Sequence, residues 1–273
     1  MRGPIPELPT AGPKRPTGPG FFNPLAESEP AKLCAVALTA HARSRSGNSY
    51  ALWRPVADRA MSLLALVLLS PLLLVAALLV KLTSRGPALY RQARTGKDGV
   101  PFTLYKLRTM YDNSEAETGV VWSADGDRRV TRIGRVLRAR HLDELPQLFN
   151  VLRGEMSLIG PRPERPEIVE FLSQRIDGYL ERLRVAPGIT GLAQIELAPD
   201  VNLQGVREKL VRDLYYIDHL GPSLDIRILC CTAMFFVGVP LRVSRRMLCV
   251  GARPHLRDVP APDTDFELAT QTE

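Results

Sequence analysis

The run from Ala60 to Val80 limits the fold of this chain more than any other feature: 21 consecutive residues, AMSLLALVLLSPLLLVAALLV, carry no charge. As one straight helix it would be about 31 Å long, just enough to span a bilayer core. Two details argue against a simple span. Ser70-Pro71 falls near the middle, where proline removes a backbone donor and bends or breaks a helix. Both flanks are also basic, with Arg43, Arg45, Arg54 and Arg59 before the run and Lys81, Arg85, Arg91 and Arg94 after it. Positive charge at both ends gives no orientation unless both ends stay on the cytoplasmic side. That arrangement is a re-entrant hairpin, helix–break–helix, dipping into one leaflet. A proline-kinked spanning helix is the alternative, and these residues alone leave both open.

The remainder reads as one domain between two tails. Residues 1–50 are rich in Pro, Gly, Ala and Ser without periodicity and read as a disordered tail. No secretory signal is expected, because the first long apolar run begins near residue 60. Residues 251–273 form a second polar, proline-bearing tail. The membrane segment is placed at 51–85 and the catalytic part at 86–250. Strands are expected at Ala88–Gln92 and Phe102–Arg108 around a Gly96–Gly99 turn, and residues 111–127 read as a polar loop. Helical periodicity follows in Asp143–Leu152, Pro166–Leu183 and Val206–Ile217. Ile228–Leu241 is a second apolar run, too short to span, which reads either as an interfacial helix or as a buried one. The fold class expected is α+β, mostly helical, with a small β-hairpin in a cytosolic domain attached to the re-entrant segment.

The formal charge of +7 directs attention to anionic partners: nucleic acid, an anionic membrane surface or phosphorylated substrates. With 6% aromatic residues and no RNA-binding signature, nucleic acid is not expected as a partner. The four cysteines, Cys34, Cys230, Cys231 and Cys249, lack metal-ligand spacing, and Cys230 and Cys231 are expected to pack in an apolar run. Glycine-rich nucleotide loops, an HExxH zinc motif and a GxSxG nucleophile elbow are all missing.

The chemistry concentrates in residues 138–163. Asp143 and Glu144 stand together at the start of an apolar-striped helix. Taken alone, Asp143 there reads first as an N-cap, worth roughly 1 kcal/mol. The same position holds a carboxylate ionised and attracts phosphate, so Asp143 also suits a nucleophile toward a phosphoryl group. Two adjacent anions need a screening cation, which a divalent metal on Glu144 would supply. Arg128, Arg129, Arg132, Arg135, Arg138 and Arg140 crowd the approach; most read as a solvated or lipid-facing stripe. Arg138, nearest the helix start, is assigned to substrate. Arg162 is pinned between Pro161 and Pro163, which suggests a positioned charge. Lys106 is a further phosphate candidate, with a surface lysine at a strand end as its plain alternative.

In order along the chain, the Ser-Pro-broken run ending in KLTS (81–84), GPALYRQ (86–92), PFTLYKLRTM (101–110), LDELPQL (142–148), NVLRGEMSLIGPRP (150–163) and PGITG (187–191) resemble the bacterial sugar transferases, the small monotopic phosphoglycosyl transferases. The resemblance implies transfer of a sugar 1-phosphate from a UDP-sugar to polyprenyl phosphate with release of UMP, the first membrane step of exopolysaccharide or glycoconjugate synthesis. It implies that Asp143 forms a covalent phosphosugar intermediate, that Glu144 helps hold Mg²⁺, and that Lys106, Arg138 and Arg162 bind substrate. It implies a re-entrant membrane helix contacting membrane lipids at the cytoplasmic face of the bacterial inner membrane; a homodimer is an arrangement the sequence allows. Two departures stand out: Gln194 is followed by Ile195-Glu196-Leu197-Ala198, and His141 replaces a small polar residue. The alternatives are a CDP-alcohol type lipid-phosphate transferase, whose spaced aspartates are not visible, and a basic membrane-anchored module that binds anionic lipid or polymer without catalysis.

Overall fold

A computed structural model describes residues 49–111, 127–197 and 203–250. Both expected tails, most of the polar loop at 111–127 and Ala198 lie outside the described residues, apart from Ser49 and Tyr50.

Helix α1 runs from Ser49 to Thr83, 35 residues, or about 52 Å at the usual rise. The expected break at Ser70-Pro71 is corrected: the chain stays helical through Pro71. Pro71 lacks the amide that would bond the carbonyl of Val67. The hydroxyl of Ser70 donates to that carbonyl instead, at 2.8 Å, so the apolar run loses no acceptor to its proline. The helix begins before the apolar run because Tyr50, Arg54, Asp58, Ser62 and Leu66 recur every four residues and form one buried stripe. Near the other end, Ala76 and Val80 pack on Leu107 and Leu137. Between and around these contacts Leu63, Leu64, Val67, Leu68, Leu74 and Val75 are exposed. By length and apolarity α1 could cross a bilayer.

Two of the basic flanking residues are not free to meet headgroups. Arg54 is buried, its Nε 3.0 Å from the Asp225 carboxylate, and its Nη2 donates to Ser157 Oγ and to the Tyr216 hydroxyl, each at 2.8 Å, and to the Ile159 carbonyl. Asp58 accepts from Ser157 Oγ at 2.6 Å. Arg94 pairs with Glu164 at 3.6 Å.

The hairpin forms as expected. Strands β1 (Leu89–Thr95) and β2 (Pro101–Leu107) pair antiparallel, Leu89 opposite Leu107 and Thr95 opposite Pro101. Asp98 (φ 55°) and Gly99 (φ 78°) supply the left-handed residues of the turn. Leu104 and Leu107, three apart on β2, point to opposite faces and are both buried, in separate apolar clusters, while Lys106 shares the face of Leu104.

Helix α2 (Arg132–Ala139) is capped by Thr131, whose hydroxyl accepts from the Gly134 amide at 2.9 Å. Ile133 and Leu137 pack inward, whereas Val136 is exposed. The next helix starts differently from the expectation. Leu142–Gln147 is a 3₁₀ turn that leads into α3 (Leu148–Arg153). His141, at φ 51°, takes the N-cap position, and Asp143 sits within the first turn. Asp143 is therefore not a cap, because Leu142 is already helical after the left-handed residue.

A parallel pair, β3 (Ser157–Ile159) with β4 (Gly188–Thr190), was not expected from the pattern. Its strands are three residues each, too short to show alternation. It does account for the glycines of the two motifs: a Cβ on Gly188 would lie 2.0 Å from the Gly160 nitrogen, and one on Gly191 would lie 2.2 Å from the Gly160 oxygen. The expected helix over 166–183 divides into α4 (Pro166–Ser173) and a 3₁₀ turn, Tyr179–Arg184, separated at Gly178 (φ 74°). Helices α5 (Leu192–Glu196), α6 (Leu203–Asp218), α7 (Pro222–Phe236) and α8 (Leu241–Met247) complete the described chain. The apolar run at 228–241 thus ends at Phe236, with Gly238 (φ 90°) in the turn that follows. Cys231 is buried, whereas Cys230 is exposed on the same helix. The main core gathers Leu66, Leu104, Val151, Ile159, Tyr216 and Ile228 from six elements.

Candidate active site

Glu144 is the centre of a cation clamp. Its Oε1 accepts from Lys106 Nζ at 2.8 Å and from Arg162 Nη2 at 2.6 Å, and its Oε2 lies 3.3 Å from Arg162 Nη1. These residues come from β2, the 3₁₀ turn and the Gly160–Pro163 turn, so the clamp forms only when the hairpin packs beside α3. Burial would raise the Glu144 pKa, but Arg162 and Lys106 outweigh it and hold the carboxyl well below the usual range. For Lys106 burial dominates, with help from Arg162, and lowers its pKa despite Glu144. Glu144 raises the pKa of Arg162.

Asp143 is 7% exposed, and it has no ion pair among the described residues. Burial, then the Glu144 charge, raises its pKa; Lys106 and Arg138 act against them. Arg138 is held by donating from Nε to Thr109 Oγ1 at 2.9 Å. The other arginines of the approach stand apart: Arg132, Arg135 and Arg140 are exposed, and Arg129 chelates Asp127 at 2.7 Å. Counting Lys106, Arg138 and Arg162 against Asp143 and Glu144 leaves one net positive charge (three less two) around an unpaired carboxylate. Such an arrangement has the chemistry to attract a phosphate and to offer it a nucleophile.

Could the pair also take a metal? Among the described residues no three His, Cys, Asp or Glu side chains gather as a cage. Mg²⁺ does not need one, because one or two carboxylates with substrate phosphates and water commonly hold it. Among the described residues Asp143 has no ion pair, and Glu144 Oε2 has only its 3.3 Å contact. The donor set fits.

A second buried cluster fixes the Arg162 turn. Arg182 Nη2 donates to the Arg162 carbonyl at 3.0 Å, and Arg94 Nη1 to the Pro163 carbonyl at 2.9 Å. Arg182 pairs with Asp213 at 2.7 Å, and Glu164 with Lys209 at 2.8 Å. Burial opposes ionisation of Glu164, but Lys209, Arg182 and Arg94 outweigh it and push its pKa down to about 2. Sequence reasoning did not find this support. Arg182 and Asp213 are 31 residues apart, and only Glu164, directly after the proline-flanked arginine, offered a local cue. Of the two departures, Glu196 accepts from Arg212 Nε at 3.0 Å, joining α5 to α6. His141 lies 5.6 Å from the Phe235 ring.

Residues 49–238 match the profile of a family described as bacterial sugar transferase. A protein of Aeromonas hydrophila named UDP-N-acetylgalactosamine-undecaprenyl-phosphate N-acetylgalactosaminephosphotransferase is 44% identical over 179 residues, covering 66% of this chain and 42% of the relative. A UDP-glucose:undecaprenyl-phosphate glucose-1-phosphate transferase of Caulobacter vibrioides is also 44% identical over 179 residues, covering 65% of this chain and 67% of the relative. One of the same name from Klebsiella pneumoniae is 44% identical over 177 residues, 64% of this chain and 38% of the relative. The match thus spans well under half the length of two of these relatives.

Proposed function

The chain belongs to the bacterial sugar transferase family, and on that premise we propose that it is a phosphoglycosyl transferase that moves a sugar 1-phosphate from a UDP-sugar to polyprenyl phosphate. The observation that carries this reading is Asp143, a buried carboxylate without an ion pair among the described residues, beside Glu144 with its Lys106 and Arg162 partners. The names of the relatives give the substrate class. They do not select the sugar, since relatives named for N-acetylgalactosamine and for glucose are equally identical to this chain.

In the first half-reaction a carboxylate oxygen of Asp143 attacks the sugar-linked phosphorus. The bond from that phosphorus to the bridging oxygen breaks, and UMP leaves with the electron pair. In the second, an oxygen of the lipid phosphate attacks the phosphorus now on Asp143 and releases the carboxylate. Lys106, Arg138 and Arg162 stabilise charge on the phosphoryl oxygens. Asp143 and Glu144 would hold Mg²⁺, which when bound supplies further neutralisation of the pyrophosphate charge.

The exposed apolar surface of α1 is assigned to the membrane, with both ends of the helix on the cytoplasmic face of the inner membrane. The support is that residues near each end, Arg54 and Val80, pack against the same domain. The proposed role lies at the start of exopolysaccharide or glycoconjugate assembly.

The test is to incubate the enzyme with single UDP-sugars and no acceptor. One sugar should release UMP and leave its phosphosugar mass on the Asp143 peptide, and Asp143→Asn should reduce both by about 10³-fold or more. Undiminished UMP release by that variant would overturn the assignment.

A further inference from the structure

Arg108 is a buried cation that has no anionic partner among the described residues. It follows β2 and is 6% exposed. Its amide extends the hairpin by one bond, to the Ala88 carbonyl at 2.8 Å. Its Nη2 donates to the carbonyl and hydroxyl of Ser84, at 2.8 and 2.9 Å. Nε and Nη1 are buried with no acceptor among the described residues. The other two buried arginines among the described residues each face a carboxylate, Arg54 with Asp225 and Arg182 with Asp213, as does the half-buried Arg94 with Glu164. Removing a guanidinium from water without such a partner is strongly unfavourable. With Nη2 held by Ser84, the guanidinium still has donors that an anion can take.

Its position says which anion. Arg108 directly follows β2 and its amide continues the pairing, so it stands two residues beyond Lys106, about 7 Å along extended chain. Lys106 reaches Glu144 at 2.8 Å, and Thr109, next to Arg108, holds Arg138 at 2.9 Å. Ser84, which sits on the guanidinium, directly follows the last residue of α1, Thr83. The Arg108 side chain therefore lies where the apolar helix meets the site, shielded from water. The Arg162 side chain, by contrast, is 36% exposed and open to a soluble donor. Arginine is the side chain best matched to phosphate oxygens. We infer that Arg108 receives the phosphate of the lipid acceptor, which enters from the bilayer past the Ser84–Pro87 link, where Gly86 sits at φ 104°. This rests on the reaction proposed above. Held there, an acceptor oxygen attacks the phosphorus on Asp143, the new P–O–P linkage forms, and the Asp143 carboxylate is released.

The experiment is two-substrate kinetics in detergent micelles with a UDP-sugar and undecaprenyl phosphate. Arg108→Gln should raise KM for undecaprenyl phosphate about ten-fold or more relative to KM for the UDP-sugar, the scale of one charge-assisted hydrogen bond. Equal changes in both constants, as a merely structural role would give, overturn the inference. So does a rise confined to the UDP-sugar. If Arg108→Gln does not fold, Arg108→Lys keeps the charge but not the donor geometry. It should show the same split, about three-fold or more, and no split overturns the inference. UMP release by the unmodified enzyme without acceptor checks the underlying reaction separately, so a missing split alongside intact release removes only the role of Arg108.

Discussion

Glu144→Gln is the sharpest probe of the clamp, because it removes charge while keeping shape. In the native site the carboxylate has contacts of 2.6, 2.8 and 3.3 Å to two cations. Glutamine can keep one acceptor oxygen but leaves Lys106 and Arg162 without a counter-charge. Breaking a buried ion pair costs about 3–5 kcal/mol. The Arg162 side chain is 36% exposed, so water screens part of that loss and the lower end, about 3 kcal/mol, applies. Lys106, its pKa already lowered by burial, can shed its proton and cap the cost further. For a folded region of this size the midpoint should fall roughly 6–12 °C at neutral pH. The pH dependence has a definite sign. The folded-state pKa of Glu144 is depressed, so its contribution is complete above the unfolded value of about 4.3 and disappears as pH falls through the folded value. Thermal midpoints of both proteins in micelles, followed by intrinsic fluorescence from about pH 3 to about pH 8, should differ most above pH ~5 and converge in acid. A neutral-pH difference under about 2 °C, or one that does not narrow in acid, would refute the clamp as a net stabiliser.

Asp225→Ala leaves Arg54 buried without its 3.0 Å partner, and should destabilise the protein by about 3–5 kcal/mol in chemical denaturation. A loss below about 1 kcal/mol would mean that the network around Arg54 does not anchor α1. Single cysteines at Ser49 and Thr83, labelled in inside-out vesicles with a membrane-impermeant maleimide, should both react. Protection of either one would restore a spanning helix.

How far the site was legible follows from how its residues are encoded. The hairpin has two strands of seven residues around a glycine-bounded turn, enough alternation to read. Asp143, Glu144 and Arg162 stand out because proline and glycine fix the backbone near them. What failed to show were features set by partners distant in sequence: the three-residue strands β3 and β4, the Arg182–Asp213 pair, and Arg108, which resembles any basic residue at a strand end until its burial is known. The break at Pro71 was misread for a different reason. A proline rule applied alone omits the neighbouring hydroxyl, and here Ser70 satisfies the carbonyl that the proline abandons.

The same residues tie the apolar helix to the chemistry. Arg54, within α1, donates to Ser157 and to Ile159. Ile159 ends β3, and the chain then passes through Gly160 and Pro161 to Arg162, which grips Glu144. At the other end of the helix, Ser84 holds Arg108 and Val80 packs on Leu107, next to Lys106 on β2. Each cation of the clamp is thus reached by a short path from one end of α1. A helix that served only as a tether would need no buried charge and no contact beyond its linker. Helix α1 has both, so on the proposed membrane assignment a shift of the helix should displace the strand that carries Lys106 and the turn that carries Arg162.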